Sequence, residues 1–156
     1  MWQQLKGLGQ IMPLIENVAM EDVRTGDHTD MGENAMLIQI TDPSYFPPIP
    51  KQNFKEIHQF EFLDAEDEDI EKYGYDEGFL ISDYQANKLV CILQDALTDK
   101  MNVLVHCHAG VCRSGAVVEV ASMMGFTPTD RFRQPNLRVK SKMMKVLGWT
   151  YEDSSL

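Results

Sequence analysis

Val103-Leu104-Val105 runs directly into His106-Cys107-His108-Ala109-Gly110-Val111-Cys112-Arg113-Ser114-Gly115, and the helix-forming stretch that follows stops at Gly125. An apolar run followed by a glycine-containing loop and a helix start is the pattern of a central strand in a parallel sheet flanked by helices. The loop places a cysteine and an arginine six positions apart. In such a turn successive backbone N–H groups can point inward as an anion-binding concavity, and a helix beginning near Arg113 adds the positive end of its dipole. The same donors would favour a thiolate at Cys107, the nucleophilic form of the side chain. Arg113 can grip two phosphate oxygens with its planar fork, which a lysine could not. The segment reads as a phosphate cradle with a nucleophile at its base.

Around this segment the pattern alternates. Ile11 to Met20 and Ala35 to Ile40 read as strands, separated by the polar, turn-rich segment Arg24 to Asn34. Pro43, Pro47, Pro48 and Pro50 exclude a regular element from the next stretch. Ile57 to Leu63 alternates as a strand, and Asp64 to Glu77 is strongly acidic and reads as a surface loop. Ser82 with Gln85 forms a capping box that opens an amphipathic helix, with Leu89, Val90, Leu93, Ala96 and Leu97 on its inner face and Cys91 counted with the core. Thr127-Pro128 and Pro135-Asn136 each resemble a helix start, the second capping a last helix that ends at Gly148. The order predicts an α/β fold with a central, mostly parallel sheet flanked by helices. The cradle would then lie between a central strand and a helix, at the carboxyl end of the strand where such sheets place their ligands. At 156 residues, a single domain over 1–156 is expected.

Charge narrows the partners. A net charge of −10 argues against nucleic acid or an anionic membrane as the main partner. The charge is uneven, with six basic residues and no acidic one from Arg131 to Lys145. A solvated helix face is the favoured reading of that segment, over a docking surface for an anionic substrate. Three cysteines, an odd number, and a Met1-Trp2-Gln3-Gln4 start without a secretory apolar region predict a reducing, cytoplasmic setting. No apolar run approaches the length of a membrane span.

His106-Cys107, five residues, Arg113 and Ser114, with Ala109-Gly110 inside and Gly115 after, resemble the signature of the cysteine-dependent protein tyrosine phosphatase superfamily, and more particularly its small dual-specificity-like branch. Cysteine, any five residues and arginine alone would arise by chance in roughly one chain in ten of this length; the added residues and their strand-loop-helix setting make the match specific. The resemblance extends over roughly Ile57 to Gly148, and the first fifty residues add little to it. It implies a phosphomonoester hydrolase that acts on a phosphorylated protein or peptide through a phosphocysteine intermediate, with no cofactor and no metal. Cys107 would be the nucleophile, and Arg113 with the loop residues His108, Ala109, Gly110, Val111 and Cys112 would hold the phosphate. Ser114 would donate a hydrogen bond to the sulfur as it leaves, and His106 would orient the loop and help the thiol to ionise. In the family a general-acid aspartate lies on the loop after a strand and before the helix that leads into the cysteine strand. Asp64, Asp67, Asp69 and Asp76 lie there, and Asp64 is favoured because it directly follows the strand. Asp76 stays open, nearer to Cys107 in sequence and flanked by Gly74 and Gly78.

Two rival chemistries use the same residues. His106, Cys107, His108 and Cys112 are four zinc-ligand types within seven residues, although structural zinc usually draws on two separate ligand pairs. A phosphate-binding module without turnover would need the cradle but no acid. Cys112 either fills the loop or stands ready to capture an oxidised Cys107 as a disulfide. With His, Ala, Gly, Val and Cys at 108 to 112, the loop also lacks the lysines that the resemblance associates with phosphoinositide substrates.

Overall fold

Five parallel strands make one sheet in the computed structural model of the chain, which describes residues 12–149. They are β1 (Leu14–Ala19), β2 (Ala35–Thr41), β3 (Glu56–Glu61), β4 (Asn102–Cys107) and β5 (Thr127–Pro128). Their spatial order is β3-β2-β4-β1-β5, so β4 is central, as its apolar run predicts. The helices are α1 (Met20–Thr25), α2 (Asp67–Tyr73), α3 (Asp83–Thr98), α4 (Arg113–Met124) and α5 (Leu137–Val146), with a 3₁₀ turn at Glu77–Phe79. The expected α/β architecture is met, and the sheet is wholly parallel. Among the described residues no helix is long and apolar enough to cross a membrane.

The two faces of the sheet are covered unequally. Ile15, Met36, Ile38, Ile40, Val103 and Val105 pack with residues of α3, α4 and α5 in the larger core, which includes Leu89, Leu93, Val117 and Val139. The opposite face buries Val18, Leu37 and Leu104 against Val23 of α1 and Met31. α3 carries the predicted capping box: Gln85 N–H donates to Ser82 Oγ at 3.1 Å, and Ser82 N–H donates to Gln85 Oε1 at 2.9 Å.

Several expectations need correction. β1 starts at Leu14 and Met20 already belongs to α1, a short helix that the turn-rich reading missed; Ile11 lies outside the described residues. α1 ends at Gly26, whose φ of +83° lies in the left-handed region that favours glycine. The acidic stretch Asp64 to Glu77 is not one loop. Glu66 N–H donates to Asp69 Oδ2 at 2.8 Å, and the acidic first turn of α2 suits the positive end of its dipole. Thr127-Pro128 starts no helix and instead forms edge strand β5 beside β1. Proline is tolerated there because an edge strand can leave one donor position unpaired. Cys91 is exposed rather than core, because it falls between the buried positions of α3.

Leu93 is fully buried. Leu93→Ala should cost about 2–5 kcal/mol of unfolding free energy, whereas Cys91→Ala should stay within about 0.5 kcal/mol. Urea unfolding followed by circular dichroism measures both, and a large loss in Cys91→Ala would return that thiol to the core.

Candidate active site

The carboxyl ends of three neighbouring strands meet at one cavity. Cys107 is the last residue of β4, Asp42 follows the end of β2, and Asp64 follows β3 by three positions. All three line a cavity of about 320 Å³, together with Leu63, Ala65, Tyr75, His108, Ala109, Cys112 and Arg113. The segment that resembles the phosphatase signature is thus folded as strand, tight loop and helix, with the thiol at the strand end and Arg113 opening α4.

Carbonyl tethers define the loop. His108 O accepts from Met20 N–H at 3.3 Å, Val111 O from Gln134 N–H at 3.2 Å, and Cys112 O from Asn136 N–H at 3.0 Å. Gly110 O accepts from Asn17 Nδ2 at 2.8 Å. In a trans peptide the next residue's N–H points opposite to the carbonyl. The N–H groups of Ala109, Val111, Cys112 and Arg113 therefore face away from these tethers, and no hydrogen bond among the described residues uses the N–H of residues 108–112. The turn presents a run of uncommitted donors, as an anion cradle requires. Gly110 makes this turn sterically feasible. Its φ is +76°, and a Cβ there would come within 2.3 Å of Ala19 N and of Val18 C.

At the base, Cys107 Sγ lies 3.1 Å from Ser114 Oγ and accepts from Ser114 N–H at 3.4 Å. Arg113 is buried, and its Nη1 donates to Asp42 Oδ1 and to Phe62 O, each at 2.8 Å. Its Nε is buried and without a protein acceptor. One edge of the guanidinium is thereby anchored while another donor remains uncommitted. Asp42 escaped the sequence reading; like Asp64 it follows the end of a strand, but it precedes β3 rather than the helix that leads into β4. Tyr45, from the same segment, sets its ring edge-on to His108 with centroids 6.4 Å apart.

Of the four acid-segment aspartates, Asp64 alone lines this cavity. Asp67 Oδ1 accepts from Arg138 Nη1 at 2.6 Å, Asp69 accepts from Glu66 N–H, and Asp76 Oδ1 accepts from Gly78 N–H at 2.9 Å. Asp64 Oδ1 accepts from Asn136 Nδ2 at 2.8 Å. Burial pushes the Cys112 thiol up to about 11, and the neighbouring Asp64 and Cys107 charges add to that shift. Cys112 is thus a neutral thiol at physiological pH, a poor source of the thiolate that disulfide formation needs.

His106 lies wholly inside the sheet, where burial pushes its imidazole down to about 4. Its Nδ1 lies 3.3 Å from Cys107 O, which can only accept, so Nδ1 carries the proton. His106 therefore offers the loop a hydrogen bond and no charge. Among the described residues no three His, Cys, Asp or Glu side chains come together as metal ligands.

No family model matches the chain, and no curated protein matches it. Among solved structures the chain is similar to OH1 from the Orf virus, described as a tyrosine phosphatase with distinct structural features and triple substrate specificity. The identity is 18%, the match covers 78% of this chain and 68% of that one, and the TM-score is 0.43.

His106 makes stability depend on acid. Its pKa is near 4 in the fold against 6.5 for the free side chain, so between those values the unfolded chain binds the extra proton. Stability should fall as pH drops through this window, by about 2 kcal/mol from this group at pH 5. Denaturant midpoints from pH 7 to 5 should decline less steeply in His106→Gln. Parallel declines would show that another group carries the effect.

Proposed function

We propose that this chain is a phosphomonoester hydrolase of the protein tyrosine or dual-specificity type, acting on a phosphorylated protein or peptide through a phosphocysteine intermediate. The observation that carries this reading is the cavity itself: a thiol at its base, uncommitted backbone donors around it, a buried arginine beside it and a carboxyl group in the wall. The chemistry follows from these parts. Cys107 thiolate attacks phosphorus, and the bond from phosphorus to the ester oxygen breaks as Asp64 gives that oxygen its proton. Arg113 and the amides of the loop stabilise the charge that spreads over the equatorial oxygens. Water then attacks the phosphocysteine with Asp64 as base, and the departing sulfur takes a hydrogen bond from Ser114. Phosphate leaves and the thiolate is restored. His106 steadies the loop through the Cys107 carbonyl, while His108, Ala109, Gly110, Val111 and Cys112 shape the cradle.

Turnover of p-nitrophenyl phosphate in the presence of chelator is the direct test. Cys107→Ser should abolish it while inorganic phosphate still binds, because Arg113 and the amides remain. Arg113→Lys should lose about a hundredfold or more, since the charge persists but the forked geometry does not. Full activity in Cys107→Ser would overturn the mechanism.

Asp64→Asn should separate two substrates. Phenyl phosphate, a poor leaving group, should slow by about 10²–10⁴-fold, whereas p-nitrophenyl phosphate, whose phenoxide leaves without a proton, should change far less. Asp42→Asn should slow both substrates alike, because it acts through Arg113. A selective loss on phenyl phosphate in Asp42→Asn, with none in Asp64→Asn, would move the acid role to Asp42.

A further inference from the structure

Asn136 sits where three elements meet and gives a different polar group to each. Its backbone N–H donates to Cys112 O on the signature loop at 3.0 Å. Its Oδ1 accepts from Val139 N–H at 3.0 Å, capping α5. Its Nδ2 donates to Asp64 Oδ1 at 2.8 Å and to Ala65 O at 3.1 Å. The residue is buried. A helix cap needs only the acceptor, and serine or threonine would supply one. The amide donor therefore does something other than start α5.

Its position has a chemical consequence. A carboxyl oxygen that accepts an N–H at 2.8 Å points a lone pair at that hydrogen, so a neutral Asp64 carries its proton on the other oxygen, Oδ2. The same residue is bonded to the loop that holds Cys107, so the carboxyl group is oriented relative to the nucleophile by a chain of two residues. We propose that Asn136 is a positioning residue for Asp64, holding Oδ1 so that Oδ2 delivers the proton to the leaving oxygen of a phosphoryl group at Cys107. This inference rests on the phosphatase reading above. It adds a residue whose side-chain amide acts through the acid.

Asn136→Ser and Asn136→Thr test it, because both retain an acceptor for Val139 N–H and both lack the amide donor. Thermal midpoints establish that each variant is folded, and the second variant stands in if the first is not. The measured quantity is the ratio of kcat on phenyl phosphate to kcat on p-nitrophenyl phosphate. Loss of positioning should lower that ratio by about tenfold or more, and Asn136→Ser added to Asp64→Asn should lower it no further, since the two act as one unit. A purely structural cap would lower both rates together and leave the ratio unchanged; that result overturns the inference, as does a full additional loss in the double variant. If Asp64→Asn lowers the ratio and the Asn136 variants do not, the inference fails while the phosphatase reading stands. If Asp64→Asn itself leaves the ratio unchanged, the acid assignment fails and takes this inference with it.

Discussion

Four carbonyls of the signature loop are tied to four residues on three parts of the fold, and the direction of four donors in the cradle depends on those ties. Met20 at the start of α1, Asn17 on β1, and Gln134 and Asn136 leading into α5 each supply one N–H. A loop of small residues has no core of its own to hold its shape. Its peptide planes are set instead by rigid neighbours, so that the N–H groups are already aimed before an anion arrives. Preorganisation of this kind is where electrostatic stabilisation is strongest, because no donor has to be turned during the reaction. Gly110 is the one position where the loop presses against β1 too closely for a Cβ, so its identity and the Asn17 bond to its carbonyl express the same close approach.

The acid segment is held by a second device, and it uses the basic stretch. Arg138 is buried and donates to Asp67, to Glu77 and to Ile81 O, while Leu137 N–H donates to Glu66 Oε2 at 2.7 Å. Lys142 Nζ pairs with Asp83 Oδ1 at 2.8 Å, and Arg133 Nε with Glu119 Oε2 at 3.1 Å. The basic segment from Arg131 to Lys145 is thus more than a bare solvated face: most of its charges have acidic partners. Arg138 is the counterion of the acidic segment through Asp67 and Glu77, while Arg131, Arg133 and Lys142 pair with carboxylates elsewhere, at Glu16, Glu119 and Asp83. Exposed pairs of this sort contribute little each, but Arg138 also satisfies a buried carbonyl, so the segment that carries Asp64 is fastened along its length to the first turn of α5.

How far the chain could be read without its structure follows from the range of each signal. β4, α4 and the capped α3 are written in local periodicity and caps, and they stand where the sequence puts them. Cys107 and Arg113 are legible for the same reason: one short segment holds both. α2 was hidden because its capping residues, Glu66 and Asp69, look like any other members of an acidic run. Asp42, Asn17 and Asn136 act on residues 71, 93 and 72 positions away in the chain, respectively. No spacing rule reaches that far. What could have found Asp42 is its place directly after an apolar strand, since ligands of parallel sheets gather at such ends. Asn136 was visible only as a helix cap, which accounts for half of its side chain.

Two carboxyl groups in one cavity invite confusion of roles, and their partners separate them. Asp42 is bonded to a guanidinium, an ion pair at 2.8 Å that ties it to Arg113. Asp64 is bonded to a neutral amide, whose N–H serves the carbonyl oxygen of a carboxylic acid as well as it serves a carboxylate. Under the proposed mechanism, in which Asp64 gives up and regains a proton, this amide can stay in place throughout. Asp42 instead anchors the Arg113 guanidinium from the end of β2. The same strand-end geometry supplies both residues, and the neighbouring side chain tells them apart: a buried cation beside Asp42, a neutral amide beside Asp64.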